Sequence, residues 1–386
     1  MMELHRTFAA LTLMIGCVVA EGQQIAVRVR TEKLTNPLGE PVFVLVELTN
    51  ISSRTVQFAD DGTCAQSFKA VFPLEHRMAD RLYGCGGGGI AGSCGGSFVD
   101  LKAGESVVRR YLLPDRLEPG YAGDFNYTLQ KQIRFYARDG SHKMVGSEEV
   151  SETIAVHLVQ ANQARMEADY APLLSDLQST DPQKHWLALM AITEHPQGFL
   201  EPVVLKLSQD PQTMSASITG LKKLGTERTK QRLAELTGSE YGESVRQPAT
   251  TALAESGDGA YCDLMLQLMT LHQGYTSEIA ARGAGLLCGE KAVPQLASLL
   301  NKPNSLPAYE IAYALGNTGS RAAVPILIVL LSNADAGVRG AAKEALYTLT
   351  HRQSTPDDPG ADHQDWVSWW ALQGKTAQIF DPAECP

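Results

Sequence analysis

The residue types able to do chemistry are present in this 386-residue chain, but their spacing brings no set of them together. Eight histidines follow residue 20, and they are scattered. No His-Glu-x-x-His segment would put two imidazoles on one helix face, and no Cys/His group has zinc spacing. A Gly-x-Ser-x-Gly elbow and a Ser-x-x-Lys pair are also missing, so no nucleophile stands beside a base. Asp60-Asp61 and Asp357-Asp358 pair carboxylates in turn-like segments, which reads as solvated turns rather than a calcium site. The glycine-rich run Tyr83–Gly96 lacks the Lys-Ser/Thr and the following helix of a phosphate loop, and is expected to be a surface loop. These residues assign no catalytic group, metal ligand or cofactor, and the expectation is a protein that is not an enzyme.

Cysteines and tryptophans offer other chemistry. Cys64, Cys85, Cys94, Cys262, Cys288 and Cys385 follow residue 20. In an oxidising compartment an even number suggests bridges, with pairing open. Cys85 with Cys94 would staple the glycine-rich loop; if Cys64 takes either, Cys385 is left for the remainder. Cys262 near the start of one helix and Cys288 at the end of the next would lie side by side in an antiparallel pair, as a bridge or as two buried thiols. Trp366, Trp369 and Trp370 fall at i, i+3 and i+4, one face of a short helix. They could form a carbohydrate or peptide platform, but a lid over the open end of a repeat array is expected.

The N-terminus bears on that compartment. Met1–Arg6 is a weakly basic lead, Thr7–Ala20 is apolar, and Val18-Val19-Ala20 offers the small residues of a cleavage site. Residues 1–20 therefore read as a signal peptide, too short to span a bilayer. The expected location is exported, periplasmic or secreted. In a rival reading Met14-Ile15-Gly16-Cys17 is a lipobox that anchors the chain through Cys17. The formal charge is −10, with the acid excess on residues 161–386. That balance argues against nucleic acid and would assist a basic protein partner. No later stretch is apolar enough for a transmembrane segment.

The elements that must position these side chains fall into two groups. Residues 21–160 alternate at period two, with Ile25, Val27 and Val29, then Val42, Val44, Val46 and Leu48, then Ile154, Val156 and Leu158 on single faces. Short strands at this spacing predict an antiparallel β-sandwich. The turns Leu38–Val42 and Leu117–Tyr121 resemble those of bacterial immunoglobulin-like domains. Residues 161–353 switch to helical period. Gly225, Gly257, Gly289 and Gly319 recur at steps of 32, 32 and 30, the mark of stacked helix pairs. Pro172, Pro202, Pro294 and Pro325 are placed near the start of first helices, and Asp181, Asp210 and Asp335 in turns as caps. Residues 354–386 form the Trp-rich cap and tail.

Ala323–Leu331, Asp335-Ala-Gly-Val-Arg339, Ala342 and Ala345-Leu346 resemble the short HEAT-like repeat, also called the PBS-lyase HEAT-like repeat. The resemblance covers about residues 165–350 and implies an α-solenoid that binds other molecules, usually proteins. It also implies an Asp–Arg ladder along the stack; Asp335 and Arg339 fit it, and Arg246 and Arg282 fit in part. It does not imply lyase activity, since no pigment-handling constellation is present. The expected function is an exported binding or scaffold protein, its partner held on a concave face of second helices. Glu278, Arg282, Tyr309, Glu310, Arg339 and Glu344 are the candidate contact residues there. Two alternatives remain: an envelope hydrolase or lyase with a site between the domains, and a carbohydrate-binding module.

Overall fold

A computed structural model describes residues 24–60, 69–71, 97–113, 121–138, 141, 143–271, 274–300, 302, 306–350, 363–374 and 376–379. The proposed leader with Cys17, the glycine-rich run with Cys85 and Cys94, Cys64, Cys385, Asp61 and Asp357-Asp358 lie outside those residues.

The strands come first: β1 Ile25–Thr31, β2 Asn36–Pro37, β3 Phe43–Asn50, β4 Val56–Asp60, β5 Lys69–Val71, β6 Ser97–Leu101, β7 Ser106–Leu112, β8 Gly123–Tyr136 and β9 Met144–Val159. One antiparallel sheet has the order β1-β3-β7; the other runs β2-β9-β8-β4-β6, with β5 also on β8. Period-two alternation explains their faces. Val44, Val46 and Leu48 are buried with Ile25 and Val27 against Phe58, Tyr127, Phe135, Ile154, Val156 and Leu158. Asn50 is fully buried, and its side-chain amide donates to the carbonyls of Arg54 and Leu101. That side chain serves the fold.

Helices follow from Asn162, whose side chain accepts from the Arg165 amide and so caps the first of them. They are α1 Gln163–Asp176, α2 Pro182–Glu194, α3 Glu201–Leu207, α4 Met214–Leu224, α5 Glu227–Glu235, α6 Glu243–Glu255, α7 Cys262–Leu268, α8 Gly274–Cys288, α9 Val293–Leu299, α10 Ala308–Gly316, α11 Ala323–Leu330, α12 Ala336–Thr350 and α13 His363–Gln373. Odd-numbered helices through α11 are the first members of pairs and even-numbered ones the second. Second helices pack in series, α2 on α4, then α6, α8, α10 and α12.

The four periodic glycines all take positive φ, 60°, 68°, 56° and 57°. This is the left-handed conformation that ends a helix and that side-chain-bearing residues resist. Asp181 and Asp335 accept from amides in the first turn of the helix that follows each, as expected of caps. Asp210 departs from this: it accepts from the Gln212 amide, and α4 begins later, after Thr213. Pro172 is also corrected, because it lies inside α1, which starts nine residues before it. Pro202 and Pro294 do sit in first turns.

Small residues let the second helices approach closely. A Cβ on Gly285 would lie 2.2 Å from the Ala314 carbonyl oxygen, and one on Gly316 would lie 2.7 Å from the Ala345 Cβ. One continuous core then runs from Phe43 and Leu112 of the strands, through every helix pair, to Trp366 and Trp369. Trp366 is fully buried, edge-on to Tyr347 of α12 and to Trp369. Arg321 donates to the carbonyls of Gly374 and Ala377, which ties α13 to the last repeat. With these two indoles buried they cannot stack on a sugar, and they close the array.

Replacing Trp366 by Ala should cost about 3–5 kcal/mol in urea or thermal unfolding, because it opens a cavity at the end of the core. Leu372→Ala, on the same helix but 84% exposed, should leave the midpoint unchanged within error. Equal effects from the two would mean that α13 does not cap the stack.

Candidate binding surface on the second helices

The candidate residues lie on three successive second helices. Tyr275, Glu278 and Arg282 occupy i, i+3 and i+7 of α8; Tyr309, Glu310 and Tyr313 follow on α10; Glu344 and Tyr347 lie on α12. Helical spacing puts each set on one face, and the close helix approach brings the sets together.

Arg282 holds the centre. Its Nε donates to Glu310 Oε2 at 2.7 Å and a terminal nitrogen donates to Oε1 at 3.1 Å, a two-pronged charge-assisted pair across repeats. The same guanidinium lies 4.8 Å from the centre of the Tyr313 ring. Tyr313 in turn donates its hydroxyl to Glu344 Oε2 at 3.1 Å. Both members of the central pair are largely shielded, with side-chain exposures of 12% and 8%.

Glu278 differs, for among the described residues it forms no salt bridge. Burial pushes its carboxyl above the usual range, neighbouring Glu310 and Glu243 add to that, and Arg282 opposes it. Glu243 is committed elsewhere, accepting from the Thr276 amide at 2.7 Å. Burial also raises the Tyr309 phenol, helped by Glu310 and Glu278. Tyr313 is raised by burial first and then by Glu344. Tyr275 is 66% exposed and Tyr309 40% exposed, so two exposed aromatic rings lie near an acid that forms no salt bridge among the described residues.

Five of the six residues singled out in the sequence therefore share this surface. Arg339 does not join them: its guanidinium turns back to the carbonyls of Asn333 and Ala334, just before its own helix. Arg246 does the same toward Thr237, and Arg282 binds a glutamate. The expected Asp–Arg ladder is replaced at these positions by arginine-to-loop and arginine-to-glutamate contacts. Sequence reasoning missed Tyr275 and Tyr313, although each lies three or four residues from a chosen position, where helical spacing would have found it.

Cys262 and Cys288 form a disulfide, their Cα atoms 5.1 Å apart, that joins the start of α7 to the end of α8. It lies within the same repeat as Glu278. Among the described residues no group of His, Cys, Asp or Glu could hold a metal ion. No described helix is long and apolar enough to cross a membrane.

Residues 262–347 match the family model for HEAT repeats. The chain therefore carries HEAT-like repeats over the stretch that holds the tyrosine and acid surface. It is also similar to phycocyanobilin lyase subunit alpha of a Picosynechococcus strain, 29% identical over 154 residues. That match takes in 37% of this chain, and the chain spans about half the relative's length, 54%. Among solved structures, the complex of CpcE and CpcF of phycocyanin lyase from Nostoc is 20% identical, with 47% of this chain and 66% of that one covered, at a TM-score of 0.29. A computationally designed armadillo repeat protein is 17% identical, with 46% and 98% covered, at 0.31. Likenesses at scores this low support no inference.

The curated relative overturns one expectation. A chain with no catalytic constellation was expected to be no enzyme, yet its similarity is to a protein named as a subunit of a lyase. A subunit name does not require all the reacting groups on one chain, so a search for a complete site within the sequence was the wrong criterion.

The Arg282–Glu310 pair yields a stability prediction. Glu310→Ala leaves a shielded guanidinium without its carboxylate and should cost about 3–5 kcal/mol in chemical unfolding. The double variant R282M/E310L should lie within about 1 kcal/mol of the parent, since apolar groups of similar volume can replace such a pair. A double variant as unstable as the single one would show that the pair itself sustains the stack.

Proposed function

We propose that this protein is a lyase-related binding subunit whose second-helix surface holds a protein partner for the assembly it serves. The observation that carries this reading is the run Glu278, Arg282–Glu310 and Tyr313–Glu344 across α8, α10 and α12. Repeat arrays bind over extended faces, and polar groups tied from repeat to repeat hold such a face rigid. The relative's name supports the lyase connection.

The partner segment is basic. Arg282 is paired with Glu310, while Glu278 forms no salt bridge among the described residues, and the exposed Tyr275 and Tyr309 nearby offer aromatic rings of a kind that attracts cations. A lysine or arginine side chain placed there meets a carboxylate and two π faces. The overall charge of −10 would also draw a basic partner toward the protein before contact. The strand region is proposed to be a sandwich of the immunoglobulin-like kind, supported by two sheets that share one core. Export, with cleavage after Ala20, is proposed from the leader sequence alone.

Fluorescence anisotropy with equal-length basic, neutral and acidic peptides tests the surface in the full chain. The basic peptide should bind, and raising the salt should weaken it. E278Q and Y309A should each reduce affinity about five- to tenfold, the scale of a partly desolvated cation contact, with melting temperature unchanged. Equal binding of the acidic peptide, or full affinity in both variants, would rule out this surface.

A further inference from the structure

The turn Leu38–Val42 leads from β2 into β3 and carries Glu40, whose side chain is only 2% exposed. It does not lie within the strand core. Its surroundings come from both parts of the chain, because the β1–β3–β7 sheet meets the first helix pair here. Phe43 and Leu112 pack into the helical core, and the Gln197 amide, just after α2, donates to the Gly39 carbonyl at 2.5 Å. Arg165 of α1 reaches the Thr35 hydroxyl at 3.4 Å.

Two carboxylates from the two parts meet at this junction. Lys33 Nζ lies 3.4 Å from Glu40 Oε2 and 3.0 Å from Asp169 Oδ1 of α1. Arg165 is 3.7 Å from Asp169 Oδ2. Glu40 Oε1 and Asp169 Oδ2 are both buried and have no hydrogen-bond partner among the described residues. One ammonium thus serves two acids, and each acid keeps a buried oxygen without a hydrogen bond, the Arg165 guanidinium standing beyond hydrogen-bond reach of Asp169 Oδ2. A proton on Glu40 relieves both faults, since it removes a buried charge and supplies a donor toward the Asp169 carboxylate.

We propose that the contact between the strand region and the repeats is a proton-dependent clasp, closed while Glu40 and Asp169 share one proton and loosened when that proton leaves. Burial pushes the Glu40 carboxyl from 4.5 up to about 7, Lys33 opposes this, and Asp169 adds to it. Other charged groups near the junction are Arg165 and, over the Phe43 ring at 3.6 Å, Arg110 with its partner Glu32; the titratable His195 lies buried at the end of α2. The closed state binds the Glu40 proton more tightly than an opened one, so closure is favoured at low pH and weakens as pH rises from about 4.5 toward about 7.

The regulated quantity is the placement of α1, the first helix of the array, against the strands. The clasp is far along the chain from the α8–α12 surface and does not depend on what that surface binds.

Hydrogen exchange of the α1 peptide, residues 163–176, measured in the full chain from about pH 5 to pH 8, tests this. Glu40→Gln keeps the shape and removes the titration. Divided by the E40Q rate, the wild-type rate should climb by up to about tenfold per pH unit and level off above about pH 7. A constant ratio across the range would overturn the clasp. Should E40Q fold poorly, infrared titration of the unsubstituted chain gives a second measurement. A protonated buried carboxyl should disappear near pH 7, and Asp169→Asn, which removes the like charge, should move that midpoint downward. No carboxyl titrating near pH 7, or a midpoint unmoved by D169N, would overturn it as well.

Discussion

The close approach of successive second helices is the constraint on which the rest of the structure depends. Each of these short helices would be marginal alone, and most of its stability comes from packing against the next. Gly285 under the Ala314 carbonyl and Gly316 against Ala345 show how little room is left. Polar groups of neighbouring repeats, on first helices as well as second, meet at similar sequence distances. Lys230 meets Asp258, Lys291 meets Asp263 and Arg282 meets Glu310, all 28 residues apart; Tyr313 and Glu344 are 31 apart, and Thr276 and Glu243 are 33 apart. The repeat period is therefore written into the polar ties as well as the glycines.

The ties differ in what they contribute. Lys291–Asp263 is exposed on both sides, and pairs of that kind contribute little. Arg282–Glu310 is shielded, so breaking one side is costly even where the pair adds no net stability. Such pairs fix register, since a slipped repeat would leave both charges unmatched. A rigid face follows from that register, and a rigid face loses less entropy when it takes a partner.

Much of the architecture was legible in the sequence because it rests on periodicities. The glycine recurrence marked the left-handed helix ends, and the Trp366/Trp369 spacing marked a buried helix face. Where the sequence misled, the cause was a contact that periodicity does not encode. Arg339 stands at a position that suggested a ladder, but its long side chain finds two loop carbonyls closer at hand. Pro172 suggested a helix start because proline is favoured there, whereas Asn162 had already capped α1 a good deal earlier. The absence of catalytic motifs was read as absence of an enzyme link, an inference that holds only for chains that act alone.

Glu40 is the sharpest case of what a sequence conceals. It was visible from the start within a Leu-Gly-Glu-Pro-Val turn, where a charged residue ordinarily faces solvent. In the fold it is buried at a junction where α1 and the segment after α2 meet that turn and where Phe43 and Leu112 pack among the helices. The apolar contact that joins the two parts of the chain thus forces a carboxyl out of water beside a second carboxyl. A strand region docked through apolar contacts alone would be insensitive to pH. Here the same docking creates the titrating group, so firm attachment and sensitivity to protons arise from one arrangement of residues.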